Sequence, residues 1–417
     1  MLKLIMVSTM DTKGVECDYL IKRIRALAEP DQVEFSIIDA GIRRNAVQIK
    51  PTIMPSEVAQ AAGTSLDKVR TLVRGEAIAT MSIGAAKIVK RLYDEGKCHG
   101  IISLCGGSGG SIASQAMETL PVGIPKVLAT PLASGAREFG FYIGTKDVTI
   151  MHTVIDIAGI NSISKIIYDN LAGTLVGQAK AYALRLSEVP DKILPAIGIT
   201  MIGNTTDSVD IIRQILEEHG YEVICFHSSG VGGKAMEELI KAGRFSGIID
   251  YTTNEIFEEI IGGLQRGTSE ERMTVAGRYG LPQIIVPGCV DLFDEGPFET
   301  LSDELKASRK LYKHSPNYTL CQLTNEEMRI MGKIFAEKIS LSKGPVKIVI
   351  PMKGFSIPGC PGGMFDNPVG IQEFTKELRD GLTQDIPIIE LDLHINDFLF
   401  AQTVAKLFMQ MLEAFYE

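Results

Sequence analysis

The amino-acid sequence predicts an α/β protein with two similar domains, each built on a mostly parallel sheet. Short apolar runs alternate with amphipathic stretches, which is typical of strands buried on both faces between helices. This pattern restarts in the second half of the chain, after a polar segment at 187–192 that contains Pro190. Glycines gather at the ends of predicted strands rather than in linkers. These three observations together predict the fold class.

In the first half, apolar runs predict five strands between amphipathic helices. The predicted strands are Leu2–Val7, Val33–Ile38, Gly100–Cys105, Lys126–Ala129 and Phe141–Ile143. The predicted helices are Gly14–Ala28, Leu66–Ala79, Gly84–Asp94, Ser111–Thr119 and a mostly helical segment at 154–187. The polar segment that follows places the boundary between an N-terminal domain at 1–189 and a C-terminal domain at 190–417.

The second half predicts six further strands and six helices. The strands are Leu194–Met201, Glu222–Phe226, Gly247–Asp250, Gln283–Val286, Lys347–Ile350 and Pro387–Leu391. The helices are Ser208–His219, Lys234–Ala242, Glu255–Ile261, Glu326–Leu341, Ile371–Leu382 and Asp397–Phe415. Leu4–Glu16 and Ile197–Ile211 share a strand, polar turn and helix order, which favours an internal duplication. Chance similarity between two β–α–β units is the alternative.

Composition and charge exclude several classes of protein. The 417 residues carry 42 Lys and Arg against 51 Asp and Glu, a net charge of −9. That balance argues against non-specific nucleic-acid binding, which needs a positive field. An apolar fraction of 45% excludes a disordered chain. The seven cysteines are scattered without a C-x-x-C pair, no signal peptide is recognisable, and no apolar run is long enough for a membrane helix. We therefore expect a cytoplasmic protein.

The most informative glycine cluster follows the third predicted strand. It consists of Gly106, Gly107, Ser108, Gly109, Gly110 and Ser111. Glycines let the backbone approach an anion, and the amides at a helix start carry partial positive charge. The string lacks the Gly-Lys-Ser/Thr ending of a Walker A loop, and Ile112 stands where the dinucleotide fingerprint needs Gly or Ala. The cluster therefore predicts a phosphate or other anion site, against a merely tight strand-to-helix turn.

Two neighbouring strand ends offer groups that would complete this site. After the first strand come Asp11, Thr12, Lys13 and Glu16, which supply a cation for phosphate and carboxylates for a metal or hydroxyl. After the fourth strand come Thr130, Ser134 and Gly135. Asp11 and Glu16 would equally serve as helix-start residues. Lys13 favours function, because the helix dipole does not favour a cation at a helix start.

A second glycine cluster lies in the other half of the chain. Gly230, Gly232 and Ala235 satisfy G-x-G-x-x-A, with Gly233 between them, and Asp250 follows Gly230 at the spacing of an acid that binds the ribose of NAD. The cluster follows the second strand of its domain rather than the first, where the fingerprint normally lies. His227, at the preceding strand end, is the histidine best placed for chemistry, against a structural histidine.

Several of these strings together resemble one family. They are S-T-x-D-T-K-G-x-E at Ser8–Glu16, the glycine cluster with Ala116-Met117 and Leu120–Lys126, and F-H-x-x-G-x-G-G at Phe226–Gly233. The chain resembles the ATP-binding N-terminal domain family of the tomato tobamovirus-resistance protein and its stand-alone bacterial relatives. The strings at Asp250 and His314 depart from the family pattern, and so does the stretch around Cys321, which puts the second half of the site in doubt.

The resemblance implies two Rossmann-like domains, nucleotide binding, self-association and a possible separate partner chain with a barrel domain. We therefore expect a nucleotide-binding protein that takes ATP with Mg²⁺ and, if it is an enzyme, performs an ATP-dependent hydrolase or ligase reaction on a small molecule in an interdomain cleft. Asp11, Lys13 and His227 are the candidate catalytic residues. The alternatives are an NAD(P)-dependent oxidoreductase and a non-catalytic nucleotide-sensing partner subunit.

Overall fold

The computed structural model describes residues 1–29, 33–43, 49–133, 140–188 and 193–417. The chain divides into two compact units, Met1–Asp191 and Lys192–Glu417. The predicted domain boundary after residue 189 lies beside this division.

The N-terminal unit alternates strands with helices along the chain. Its strands are β1 (Leu2–Ser8), β2 (Val33–Asp39), β3 (Gly100–Leu104), β4 (Lys126–Thr130) and β5 (Val148–His152). Its helices are α1 (Met10–Ala28), α2 (Pro55–Ala61), α3 (Leu66–Val69), α4 (Arg74–Asp94), α5 (Gly107–Glu118), α6 (Gly140–Ile143) and α7 (Ser162–Ser187).

The C-terminal unit repeats this alternation and adds a small second sheet. Its strands are β6 (Ala196–Met201), β7 (Glu222–His227), β8 (Gly247–Thr252), β9 (Gln283–Gly288), β10 (Leu292–Glu295), β11 (Leu311–Lys313), β12 (Thr319–Gln322), β13 (Val346–Pro351) and β14 (Ile388–Leu391). Its helices are α8 (Thr206–Glu218), α9 (Val231–Lys241), α10 (Glu255–Ile261), α11 (Val275–Arg278), α12 (Asp303–Ser308), α13 (Asn325–Ile339), α14 (Pro368–Gly381) and α15 (Phe398–Tyr416). Short 3₁₀ turns occupy Gly203–Thr205, Phe298–Thr300 and Ile357–Gly359.

Five strands of each main sheet share one order, and the C-terminal sheet has a sixth strand, β14, at its edge. The N-terminal sheet runs β2-β1-β3-β4-β5, and the C-terminal sheet, read from the opposite edge, runs β7-β6-β8-β9-β13-β14. Within each sheet the neighbouring strands are parallel. In both, the second strand lies on one side of the first and the third strand on the other. The predicted fold class is confirmed, and the common order is what an internal duplication predicts.

Apolar cores cover both faces of each main sheet. Ile5 and Val7 of β1 pack in a core with α4 and α5, whereas Leu4 and Met6 pack on the opposite face with α1 and α7. Residues of β9 divide in the same way, since Ile285 belongs to one core and Ile284 to another. Because both faces are buried, these strands are continuous apolar runs rather than alternating ones.

Several elements differ from the sequence-based prediction. The apolar residues Phe141–Ile143, predicted as the fifth strand, form the short helix α6, and β5 lies further along at Val148–His152. A three-residue apolar run carries too little periodicity to separate helix from strand. The predicted helix Leu66–Ala79 is two helices, because α3 ends at Val69 and α4 begins at Arg74. The antiparallel sheet β10-β12-β11 was not predicted, since its strands have only three or four residues.

Candidate functional site

A cavity of about 370 Å³ lies beyond the carboxyl ends of the strands in the N-terminal unit. It lies between the neighbouring strands β1 and β3, whose onward connections run to opposite sides of the sheet, from β1 to β2 and from β3 to β4. Ligands of open α/β sheets bind at such a topological switch point. The cavity is lined by Thr9, Asp11, Thr12, Ala40, Gly41, Ile42, Arg43, Leu72, Arg74, Ala77, Ile78, Met81, Ser108 and Ile112.

The glycine cluster forms the first turn of α5 rather than a loop before it. The helix begins at Gly107, and its N-cap residue, Gly106, has no side chain with which to cap it. A Cβ atom at Gly106 would have no atom within 4 Å, apart from its chain neighbours. The helix therefore presents amides to the cavity edge with the partial positive charge of an N-terminus.

The later glycines of the cluster serve packing. A Cβ atom at Gly109 would lie 2.8 Å from Cβ of Cys105, and one at Gly110 would lie 3.1 Å from a ring carbon of Tyr142. Ser111 does not line the cavity, since its hydroxyl donates to the Gly107 carbonyl within the helix at 3.2 Å. Half of the predicted anion loop is thus explained by the close approach of α5 to its neighbours.

Asp11 and Thr12 reach the cavity from the first turn of α1. The Asp11 carboxylate accepts the backbone N–H of Arg43 at 2.8 Å. The hydroxyls of Thr9 and Thr12 lie 3.1 Å apart. Asp39, at the end of β2, accepts the backbone N–H groups of Met10 at 2.9 Å and Gly41 at 2.8 Å. Burial raises the pKa of the Asp39 carboxyl, and these two hydrogen bonds oppose the shift.

The structure brings two cations to this cavity that the sequence analysis missed, Arg43 and Arg74. Nη2 of Arg74, the first residue of α4, donates to the Ser108 hydroxyl of α5 at 3.0 Å. The N-cap residue of α4, Val73, makes no side-chain capping hydrogen bond. The argument applied to Lys13, a cation at a helix start, also fits Arg74. It was hidden because the predicted helix at 66–79 placed Arg74 in its interior.

Lys13 is held away from the site that it was predicted to serve. Its ammonium group donates to the Ile157 carbonyl, and Lys13 does not line the cavity. Glu16, one turn later, accepts the backbone N–H of Gly159 at 2.5 Å. Both charged residues thus anchor the segment between β5 and α7. The prediction of Lys13 as a phosphate ligand is corrected for this reason.

The fourth strand end contributes little to the cavity within the described residues. Thr130 is completely buried, and its hydroxyl accepts the backbone N–H of Leu132 at 3.3 Å. Its side chain therefore closes a local turn. The predicted residues Ser134 and Gly135 lie outside the described part of the chain.

The glycine cluster of the C-terminal unit surrounds an internal carboxylate. Oε1 of Glu255 accepts the backbone N–H of Gly230 at 2.7 Å and that of Gly233 at 3.2 Å. A Cβ atom at Gly233 would lie 2.1 Å from Oε2 of the same carboxylate. Gly232 is required by a close backbone approach, because its Cβ atom would lie 1.8 Å from the His227 carbonyl oxygen. The anion position at the start of α9 is thus filled by the protein itself.

Asp250 also has an internal partner. Its carboxylate is ion-paired with Arg272 and accepts the Thr200 hydroxyl at 2.9 Å, and only 3% of the residue is exposed. Arg272 is fully buried and binds Glu255 at 2.6 Å as well. An acid that binds ribose must face the ligand, so this geometry corrects the interpretation of Gly230, Gly232, Gly233 and Asp250 as a dinucleotide site. His227 is exposed at the end of the edge strand β7.

The described residues contain neither a metal-binding cluster nor a helix that could cross a membrane. No group of three or more His, Cys, Asp or Glu side chains is arranged to hold a metal ion. Among the same residues, every helix is too short or too polar to cross a lipid bilayer.

Comparison with known proteins identifies the family of the chain. The N-terminal domain model of the uncharacterised protein family UPF0261 matches residues 2–184, and the C-terminal domain model of that family matches residues 194–412. A UPF0261 protein of Clostridium tetani is 40% identical over 413 residues, which is 99% of both chains. A UPF0261 protein of Rhizobium meliloti is 33% identical over 96% of this chain and 97% of its own.

The tomato relative is longer than this chain. The ToMV resistance protein Tm-1(GCR237) of Solanum lycopersicum is 33% identical over 81% of this chain and 45% of its own length. Among solved structures, a UDP-N-acetylglucosamine 2-epimerase has a TM-score of 0.22 at 12% identity, over 68% of this chain and 78% of its own. MurG of Acinetobacter baumannii has the same TM-score of 0.22 and the same identity of 12%, and the match covers 98% of this chain and 100% of MurG. The predicted kinship with the tomato protein and its bacterial relatives is confirmed, and the chain belongs to the family UPF0261.

Proposed function

We propose that the N-terminal unit binds a nucleotide, with ATP as the first candidate, in the cavity at the β1/β3 switch point. The observation that carries the proposal is the meeting of Arg74 with the uncapped start of α5 at the Ser108 hydroxyl. Guanidinium groups and helix N-termini are the two groups that proteins most often offer to phosphate. The position agrees with the general rule for open α/β sheets.

The charge of the cavity supports an anionic ligand. The whole chain carries a net charge of −9, yet the described residues that line this cavity include two arginines and one acid. A local excess of cations in an acidic protein attracts an anion by focusing the field in a concave site.

The apolar lining supports a ligand that has more than phosphate. Leu72, Ile78, Met81 and Ile112 form an apolar wall beside the polar groups. A volume of about 370 Å³ falls within the range of roughly 300–1,000 Å³ that is usual for small-molecule sites. A nucleotide combines an apolar base with a charged phosphate tail and therefore matches both parts of the lining.

Mg²⁺ would enter this site mainly on the phosphates. Protein sites hold Mg²⁺ through one or two carboxylates together with phosphate oxygens and water. Of the described residues that line the cavity, Asp11 alone supplies a carboxylate. The same proposal keeps the cytoplasm as the setting, and expects self-association and a separate partner chain with a barrel domain.

Equilibrium titration tests the proposal against its main alternative. We expect calorimetry to detect ATP binding with Mg²⁺ present, and fluorescence titration to detect no NADH binding, because Asp250 is paired inside the protein. Absence of ATP binding would refute the proposal, and NADH binding that Asp250→Ala abolishes would favour the oxidoreductase. Products analysed after long incubation with ATP would separate an enzyme from a nucleotide-sensing subunit.

A further inference from the structure

A second cavity, of about 490 Å³, lies within the C-terminal unit, where β12 ends and α13 and α14 begin. We call it the polar cavity. Its lining consists of Ala307, Ser308, Arg309, Lys310, Gln322, Leu323, Thr324, Asn325, Asp366 and Asn367. Two of these ten residues are apolar, so the cavity has no wall for a nucleobase or another large apolar group.

Gln322 offers a hydrogen-bond acceptor to this cavity from a buried position. It is the last residue of β12, and only 9% of it is exposed. Its Nε2 group donates to the Phe365 carbonyl at 2.8 Å, which orients the amide. Its Oε1 atom accepts no hydrogen bond from another described residue. A buried acceptor that lacks a donor is costly, so the arrangement favours a ligand that donates a hydrogen bond to Gln322.

Asn325 and Asn367 add a second oriented amide group. Nδ2 of Asn367 donates to Oδ1 of Asn325 at 2.8 Å, and Oδ1 of Asn367 accepts the backbone N–H of Gly370 at 3.0 Å. Because the oxygen of Asn325 is engaged in this bond, its Nδ2 group is the one that it offers to a ligand. The polar cavity therefore presents an amide acceptor from Gln322 and an amide donor from Asn325.

The charges around the polar cavity are balanced. The two carboxylate oxygens of Glu327 each accept a hydrogen bond from Arg309 at 2.6 Å, which compensates the charge of the guanidinium group. Lys310 and Asp366 add one charge of each sign. The starts of α13 and α14 are both capped by side chains. Since no excess of positive charge is present, the lining favours an uncharged ligand over a polyanion.

We propose that the polar cavity is a second ligand site, which takes a small uncharged molecule with several hydroxyl groups, of the class of a mono- or disaccharide. Each hydroxyl of such a ligand both donates and accepts, which matches a lining of mixed amide donors and acceptors. The volume falls within the range of roughly 300–1,000 Å³ that is usual for small-molecule sites. The inference concerns the C-terminal unit and does not depend on nucleotide binding.

Titration of the full chain with a panel of saccharides tests the inference. Saturation-transfer NMR and calorimetry would measure the binding of glucose, galactose, mannose, N-acetylglucosamine and maltose, with inorganic phosphate and glutamine as the anionic and zwitterionic comparisons. The variants are Gln322→Met, which keeps the length of the side chain but removes its amide, and Asn325→Ala. Asn317→Ala is the control, because Asn317 is an exposed amide between β11 and β12 and does not line the cavity.

We expect at least one saccharide to bind the wild type and Asn317→Ala equally, and to bind Gln322→Met and Asn325→Ala at least about 10-fold more weakly. Circular dichroism shows whether each variant is folded. Asn325 is exposed, so its variant decides the question if Gln322→Met does not fold. Absence of saccharide binding to the wild type would overturn the inference, even where phosphate or glutamine binds. Saccharide binding that either folded variant leaves unchanged would overturn it as well.

Discussion

Nη2 of Arg74 donates to the Ser108 hydroxyl at 3.0 Å and so ties the first residue of α4 to the first turn of α5. Two helix starts thereby meet at one cavity, and the side chain of neither N-cap residue, Val73 or Gly106, caps its helix. Residues 34 positions apart in the sequence form this contact. The glycines around Ser108 allow the backbone at the start of α5 to approach an anion closely, and Arg74 supplies a positive charge.

Glycines 106 and 109 are predicted to respond differently to the same substitution. Gly109→Ala places a Cβ atom 2.8 Å from Cys105, and we expect a loss of about 1–3 kcal/mol in the free energy of unfolding. Gly106→Ala enters open space at a φ of −79° and should change stability by no more than about 0.5 kcal/mol. Urea denaturation measures both. Equal losses would show that the packing account of Gly109 is wrong.

Lys13 is predicted to stabilise the fold without contacting the ligand. Lys13→Met leaves the Ile157 carbonyl without its ammonium donor, so we expect about 1–2 kcal/mol lower unfolding free energy and unchanged ATP affinity. Lys22→Met, at an exposed position on the same helix, is the control. A tenfold loss of ATP affinity in Lys13→Met at unchanged stability would restore Lys13 as a phosphate ligand.

Arg272 is predicted to be essential for the stability of the C-terminal unit. Arg272→Met removes the cation that pairs with Asp250 and Glu255, all of them buried. Leaving buried carboxylates without a partner costs about 3–5 kcal/mol, which thermal unfolding would detect as a large drop in midpoint or a failure to fold. Arg278→Met removes an exposed cation 3.7 Å from Glu271 and should have little effect. A small effect of Arg272→Met would contradict the internal role assigned to this cluster.

Glu237 is predicted to make stability depend on pH. Burial raises the pKa of its carboxyl from 4.5 to about 7, and the charge of Arg272 opposes the shift. Between these two values the folded protein keeps a proton that the unfolded chain releases, so the unfolding free energy falls as the pH rises through this window. The Glu237 contribution is then constant above about pH 7.

Glu237→Gln removes this contribution while keeping the hydrogen bonds. The amide would still accept the Met273 N–H and meet the Ser269 hydroxyl, which the carboxylate contacts at 2.6 and 3.3 Å. We expect the decline in unfolding free energy between pH 5 and 8 to be smaller in Glu237→Gln than in the wild type by roughly 1–3 kcal/mol. Glu270→Gln, at an exposed carboxyl, should retain the wild-type slope. Identical slopes in all three proteins would refute the prediction.

Local patterns in the sequence were sufficient for most strands of the two parallel sheets and for part of the candidate site. Parallel strands that are buried on both faces are continuous apolar runs in the sequence, so they can be predicted. The polar groups after β1 and β3 lie close together because the carboxyl ends of parallel strands share one edge of the sheet. Asp11, Thr12 and Ser108 therefore meet at one cavity. Arg74 was missed because locating it required the exact start of α4, and helix boundaries are weakly encoded by periodicity.

The second glycine cluster shows a different limit of the sequence. Its spacing satisfies a dinucleotide fingerprint, yet Glu255 fills the helix start and Arg272 is ion-paired with both Glu255 and Asp250. These charges come from different elements and are joined only by folding. The glycine motif predicts a backbone geometry that can bind an anion at a helix start. Only the tertiary structure shows whether a ligand or an internal carboxylate binds there.

The most direct test of nucleotide binding at the β1/β3 switch point is a calorimetric titration of Arg74→Ala and Arg91→Ala with ATP. Both residues lie on α4, but Arg91 is far from the start of the helix and outside the cavity lining. We expect Arg74→Ala to weaken binding about 10- to 100-fold and Arg91→Ala to match the wild type. Equal affinity of the two variants would contradict the account.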